Sequence, residues 1–299
     1  MKVNRLHSLK GHRDAIYTLQ HSSEESKFFS AGGDGMVVLW DQRSSEEGQL
    51  IAKLPNSIYG LHFHQQSGLL IAGQNFQGIH VLDWKNKKEV ASLQLTSAAI
   101  FDIQSSENNL IVATGEGAVH IVDLKTMSTL STRINSEKSA RTIAVNKITG
   151  DIAVGYSDNY IRVFDQKINL KKEWSAHTNS VFTLRYTPDN QFLISGSRDA
   201  RLKAWDVNGD YGQAAEVVAH LFAINHIEFS PDGKHFVTCS MDKSIKVWLS
   251  GELKLLKVID KARHAGHGTS VNKLLWTGYR NQLASSSDDR TISLWEIIF

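Results

Sequence analysis

The chain has 299 residues, of which 33 are basic and 31 acidic, with 41% apolar residues and a single cysteine. Near-neutral charge argues against a protein held on nucleic acid by a strong basic field, one cysteine excludes an intrachain disulfide, and no apolar run approaches the ~20 residues of a membrane-spanning helix. A chain of this size fits one or two domains and buries roughly three quarters of its unfolded surface.

The N-terminal stretch MKVNRLHSLKGH has no apolar core of signal-peptide length, and Cys239 lies inside an apolar strand as a small thiol. Both lead us to expect a reducing, cytoplasmic compartment, or the nucleus if the source is eukaryotic. In chain order the rest reads as seven units of short strands with period-2 alternation. Unit 1 (10–53) holds FFSAGGDGMVVLWD. There Asp34 precedes Trp40 by six residues, Asp41 follows the tryptophan, Ser30 lies four before Asp34, and His12 lies twenty-two before it. Units 2 (54–94), 3 (95–133) and 4 (134–173) put Leu82, Val122 and Phe164 at the tryptophan position and Ala72, Val112 and Val154 at the hydroxyl position. None of the three has the histidine, and only unit 4 keeps the aspartate, Asp158. The runs KNKK (85–88) and KINLKK (167–172) read as solvated hairpin ends.

Unit 5 (174–217) restores the full set with His177, Ser195, Asp199 and Trp205. Unit 6 (218–262) has His220, Thr238, Asp242 and Trp248, and unit 7 (263–299, joined by 1–9) has His267, Ser285, Asp289 and Trp295. The turns TPDNQ and SPDGK set a proline at one corner and Asn190 or Gly233 at the left-handed one. No stretch shows a helical period. The tryptophan positions recur at intervals of 42, 40, 42, 41, 43 and 47 residues, with Asp or Glu next in every unit but the sixth, which has Leu249.

Histidine, hydroxyl, aspartate and tryptophan thus come and go nearly together, as a buried polar network requires, because each orphaned group costs roughly 1–3 kcal/mol. Asp158 is the partial exception. Seven such units ending in Trp-Asp resemble the WD40 repeat, over essentially the whole chain, clearly in units 1, 5, 6 and 7 and in degenerate form in units 2 to 4. The resemblance implies an all-β, seven-bladed propeller with four antiparallel strands per blade, forming one domain over 1–299. The last unit stops at its third strand, so residues 1–9 are expected to supply the fourth and remove an open edge. The resemblance also implies the bonding order of the four sets: indole N–H to hydroxyl, hydroxyl to imidazole, imidazole to aspartate. A Ser/His/Asp hydrolase triad fits worse, because four copies are wrong for one active site and no G-x-S-x-G elbow is present.

The same register picks out a ring. Seventeen residues before the turn-aspartate position stand Tyr17, Tyr59, Arg141, Phe182, Asn225 and Asn272, and Phe101 takes that place in unit 3, whose hairpin is shorter. In the family this position faces the top surface, around the central channel. Two residues earlier, Ala15, Ser57, Ala99, Ser139, Ser180, Ala223 and Ser270 are all small and read as channel-lining positions. Arg198 and Met241, just before their turn aspartates, are expected to rim the same face, with Arg198 pointing in beside Phe182. These nine residues form the expected partner-binding set. Aromatic and arginine side chains suit an extended peptide with a carboxyl group, or a basic side chain held between rings.

The expected function is therefore a non-catalytic scaffold or adaptor: a monomeric propeller within a complex, binding a peptide or protein segment without cofactor or metal. His62 and His64 in LHFHQQ stand two apart on a strand with no third ligand fixed nearby. Gly32 to Gly35 form a turn with no helix after it, unlike a phosphate loop. Two other classes are weighed. Trp40, Asp41 and Arg43 resemble the WDxR box by which some propellers dock as substrate receptors of cullin-type ubiquitin ligases. An enzyme working in the channel is disfavoured by the small residues read as lining it.

Overall fold

The computed structural model describes residues 1–44 and 47–299. These residues form seven four-stranded antiparallel sheets arranged as a propeller. The innermost strands, in chain order, are Ile16–His21, Ile58–His64, Ile100–Ser106, Ala140–Val145, Val181–Tyr186, Ile224–Phe229 and Val271–Trp276, and they number blades 1 to 7. In six blades the four strands follow one another in sequence. In blade 7 the outermost strand is the N-terminal Lys2–Lys10, paired with Thr291–Ile298 in a register running from Lys2 against Ile298 to Lys10 against Thr291. The closure is reinforced by Asn4 Nδ2 donating to Glu296 Oε2 at 2.9 Å. Among the described residues helix is confined to short pieces such as Lys261–His264, where Asp260 accepts from the Arg263 N–H.

The apolar core is divided among the seven seams between neighbouring blades. Phe29, Leu39 and Ile51 of blade 1 pack on Ile58, Phe63 and Leu70 of blade 2, and corresponding clusters fill the other six seams. The seam between blades 7 and 1 holds Ile16, Phe28 and Trp40 of blade 1 against Leu9, Ala284, Ile292 and Leu294 of blade 7, so the ring is closed by the same kind of packing as elsewhere. The alternating strand pattern explains this: each sheet is covered on both faces, so both sets of alternate residues are apolar in the inner strands.

One irregularity recurs in every blade. The innermost strand carries a β-bulge near its start, at Tyr17, Tyr59, Phe101, Arg141, Phe182, Asn225 and Asn272. A bulge inserts one residue opposite a single partner residue and re-aims its side chain. Because strand side chains alternate, the extra residue also switches which positions face the channel.

Candidate functional site

Four blades carry a hydrogen-bonded chain that fixes their upper loops. In blade 1, Trp40 Nε1–H donates to Ser30 Oγ at 2.7 Å, Ser30 Oγ lies 2.7 Å from His12 Nε2, and His12 Nδ1 lies 2.9 Å from Asp34 Oδ2. His177, Ser195, Asp199 and Trp205 repeat the arrangement, as do His220, Thr238, Asp242 and Trp248, and His267, Ser285, Asp289 and Trp295. An ionised carboxylate only accepts, so Nδ1 is the donor; a neutral ring then leaves Nε2 to accept from the hydroxyl, whose oxygen accepts the indole N–H. Each aspartate also accepts backbone N–H groups. Asp34 takes those of Arg13 and Met36, tying the loop before the innermost strand to the turn between the second and third strands. Burial pushes the Asp34 carboxyl up, but the His12 bond and the two N–H groups outweigh it and hold the group at about 2. Asp199, Asp242 and Asp289 are likewise held well below the ordinary range against the cost of burial.

The degenerate blades replace this device. Asp158 pairs with Arg162 Nη1 at 2.9 Å, and Arg162 Nε bonds Glu173 at 2.9 Å while its guanidinium lies 4.6 Å from the Tyr156 ring centre. Arginine therefore serves where histidine is missing. In blade 3, Glu116 accepts from Thr96 Oγ1 at 2.9 Å. Blade 2 has Phe76 at the aspartate position, 58% exposed and with a left-handed φ of 71°.

The bulged residues meet around the upper mouth of the channel, where Tyr17, Tyr59, Phe101, Arg141, Phe182, Asn225 and Asn272 line a cavity of about 260 Å³. Tyr17 and Tyr59 have ring centres 4.6 Å apart, and Tyr59 and Phe101 5.6 Å. The Arg141 guanidinium lies 4.1 Å from the centre of Phe101 and 5.4 Å from that of Phe182. Arg141 Nε also donates to Ser157 Oγ at 2.9 Å. Five bulged residues thus form one continuous aromatic and guanidinium surface across blades 1 to 5. Asn225 and Asn272 instead lock neighbouring blades: Asn225 Nδ2 donates to the Val271 carbonyl at 2.8 Å, and Asn272 Nδ2 to the Ile16 carbonyl at 3.0 Å.

One expectation about this region is met in part and one is corrected. Arg198 and Met241 both stand exposed on the rim, but Arg198 is not among the residues that line the mouth cavity with Phe182. The seven small residues do not line the channel. Their carbonyls accept the N–H of the residue before each turn aspartate position, as Ala15 does from Gly33 and Ser180 from Arg198. Several of their hydroxyls reach the preceding blade, as Ser139 Oγ does to the Gly115 carbonyl at 3.0 Å. Small size here permits close approach between blades.

The channel itself is polar. Asp102, His226 and Lys273, each one residue past its bulge, line both the mouth and the larger cavity of about 640 Å³ below it, which also reaches His62, Arg185 and Glu228. These groups are mostly engaged in joining blades. Asp102 Oδ2 accepts the Ile143 N–H at 2.8 Å, Thr183 Oγ1 accepts that of Ile227 at 3.2 Å, and Arg185 Nη2 lies 2.8 Å from His226 Nε2. Burial holds His226 well below its ordinary value, helped by the charges of Lys273 and Arg185, and lowers His62 to about 4. His62 and His64 diverge: the first bonds Ser105 Oγ and the second the Glu107 carbonyl.

Sequence reasoning missed three exposed apolar residues on the upper face: Phe76, Leu221 at 82% and Phe222 at 61% exposure. A signal was present. The residues after the tetrad histidine are Arg13-Asp14, Thr178-Asn179 and Gly268-Thr269 in the other complete blades, and only blade 6 has Leu-Phe. Arg43 lies away from this face and is exposed, with Nη2 bonded to Asp41 Oδ2 at 2.7 Å.

The family model described as WD domain, G-beta repeat matches residues 3–41, 168–206, 213–248 and 259–296, just over half of the chain. Each match starts on or beside the outer strand of one blade and ends on the third strand of the next. The chain is similar to a WD repeat-containing protein 91 homolog of Dictyostelium discoideum, 25% identical over 207 residues that cover 66% of this chain and 27% of that protein. It is similar to human Striatin-3, 25% identical over 214 residues covering 71% of this chain and 23% of the relative. A Ribosome biogenesis protein WDR12 homolog of Culex quinquefasciatus is 26% identical over 119 residues, 38% of this chain and 28% of that protein. The chain spans about a quarter of the length of each of these relatives. Among the described residues no helix is long and apolar enough to cross a membrane.

Proposed function

The chain belongs to the WD40 family of WD-domain, G-beta-repeat proteins, and from that premise we propose that it is a non-catalytic scaffold that binds an extended segment of a partner protein at the upper mouth of its channel. One observation carries the reading: the innermost strand of every blade is bulged at the residue that reaches the mouth, and five consecutive bulges present Tyr17, Tyr59, Phe101, Arg141 and Phe182 as one continuous surface. Partly buried aromatic and arginine side chains in a concave site are the residue types that dominate binding energy at protein interfaces. One relative is named as a ribosome biogenesis protein, a name that points to assembly rather than to a catalysed reaction. Lower in the channel, Asp102, Arg185 and His226 are each engaged by a neighbouring blade.

Affinity purification from source cells with the wild-type chain beside a Phe182→Ala/Arg198→Ala variant tests this. Proteins recovered by the wild type should be depleted with the variant. A partner retained equally by both moves the binding surface elsewhere, and turnover in a hydrolase screen overturns the non-catalytic reading.

A further inference from the structure

Arg141 stands within the aromatic wall of the mouth, held in place but unpaired. It occupies the bulge of blade 4, with its guanidinium 4.1 Å from the centre of Phe101 and 5.4 Å from that of Phe182, and its Nε donates to Ser157 Oγ at 2.9 Å. These contacts fix the group through its faces and one nitrogen. The edge formed by Nη1 and Nη2 is left over. Among the described residues neither nitrogen bonds an acceptor, yet neither is sealed from solvent, and the side chain lines the mouth cavity. Burial is the main cause lowering the Arg141 pKa, so the charge is kept there against a desolvation cost that a bound anion relieves.

The cavity is short of negative charge. Asp102, Arg141 and Lys273 are the charged side chains that line it. Asp102 is already engaged: Oδ2 accepts the Ile143 N–H at 2.8 Å and Oδ1 the Gln104 side-chain amide at 3.2 Å. Among the described residues the ion pair in the channel is that of Arg185 with Glu228, at 3.8 Å, and neither Arg141 nor Lys273 takes part in one. Two cations thus face one satisfied carboxylate. The upper loops impose no sign of their own, since Arg13 adjoins Asp14 and Glu137 adjoins Lys138.

The rings leave no slot for a further cation. Tyr17 and Tyr59 at 4.6 Å, and Tyr59 and Phe101 at 5.6 Å, stand at the separations of aromatic pairs in contact. Between Phe101 and Phe182 the place of a guest cation is taken by the guanidinium of the chain itself.

We propose, resting on the mouth as the binding surface, that the partner segment carries an aspartate or glutamate whose carboxylate is received by Nη1 and Nη2 of Arg141, the specificity anchor of the site. A guanidinium edge presents two parallel N–H donors that match the two oxygens of a carboxylate. Stacking on the rings orients that fork before the partner arrives. A segment with lysine or arginine in the same place meets a like charge and is rejected.

Random peptides displayed on phage as internal segments are selected against the purified chain, and the enriched sequence is synthesised with an amidated C-terminus, so that side chains supply the only carboxylates. The expected consensus has one dominant Asp or Glu position. Replacing that residue by Asn or Gln should weaken binding about 10- to 100-fold. With Arg141→Met, which keeps an unbranched stem between the rings, the same replacement should make little further difference. Arg141→Lys keeps the charge without the fork and should recover only part of the affinity. The peptide substitution needs no protein variant, and thermal midpoints show that the variants are folded. A consensus without an acidic position, one rich in Lys or Arg, or an acidic position whose effect survives Arg141→Met overturns the anchor. Where such peptides still lose affinity with Phe182→Ala, the mouth stands as the binding surface. Enrichment of nothing, or of peptides insensitive to both Phe182→Ala and Arg141→Met, overturns both.

Discussion

Thr238→Val isolates the contribution of one hydrogen-bonded chain with little change of shape. Thr238 is fully buried, and its Oγ1 lies 2.7 Å from His220 Nε2 and 2.9 Å from Trp248 Nε1. Valine keeps the branched outline but orphans the imidazole nitrogen and the indole N–H together. At roughly 1–3 kcal/mol for each buried group left unpaired, less a small gain from the added methyl, we expect a loss of about 2–4 kcal/mol. The Trp248→Phe variant removes the indole donor, so the valine substitution should cost less in that background, with a coupling of about 1 kcal/mol or more. Urea denaturation followed by tryptophan fluorescence reads the shift as a lower midpoint at constant slope. A loss below about 0.5 kcal/mol, or additivity of the two substitutions, would refute the reasoning that the four groups act as one network.

The other predictions concern closure, charge and pH. Deleting residues 2–10 removes the outer strand of blade 7 and the buried Leu9, so the thermal midpoint should fall, by the equivalent of at least ~2 kcal/mol; an unchanged midpoint contradicts closure by this strand. Arg162→Ala strands Asp158 and Glu173, both partly exposed, and should cost about 1–3 kcal/mol. Arg162→Lys should not restore the loss, because lysine cannot bridge two carboxylates through a planar fork; full rescue counts against the assignment. The tetrad carboxylates have folded-state pKa values below their unfolded ones. Their stabilisation is therefore complete above about pH 4 and lost as the pH falls through the folded values, for Asp34 about 2. Because burial holds His62 at about 4 and His226 well below its ordinary value, the unfolded chain takes up protons first, so urea midpoints should already decline from pH 7 to 5 and drop more steeply below about 4 as the carboxylates protonate, whereas a midpoint unchanged at pH 2.5 excludes the linkage.

The repeat was legible because tryptophan is rare and its spacing to aspartate, hydroxyl and histidine is fixed by one sheet geometry. The ring of mouth residues was legible for the same reason, even in unit 3, where the turn Glu107-Asn108 shortens the first hairpin. The channel lining was misread for a definite cause. Simple alternation carried back from Tyr17 puts Ala15 and Tyr17 on one face, but the bulge at Tyr17 changes the parity, so the next residue turns toward the axis. Hence Asp102, His226 and Lys273 went unnoticed as channel groups. Asp158 looked like an orphan because its partner, Arg162, sits four residues on, across a turn. Phe76 was hidden by being judged only as a missing aspartate, although an aromatic side chain on a left-handed backbone is unusual enough to mark the position.

The most direct test places a photo-crosslinking amino acid at Tyr59, in the mouth, and separately at Ile148, which is 75% exposed on the hairpin at the opposite end of an innermost strand. With a partner recovered by the wild-type chain, crosslinks should form from position 59 and map to one short segment of that partner. Crosslinks from position 148 with none from position 59 would put the working surface on the other face and contradict the account.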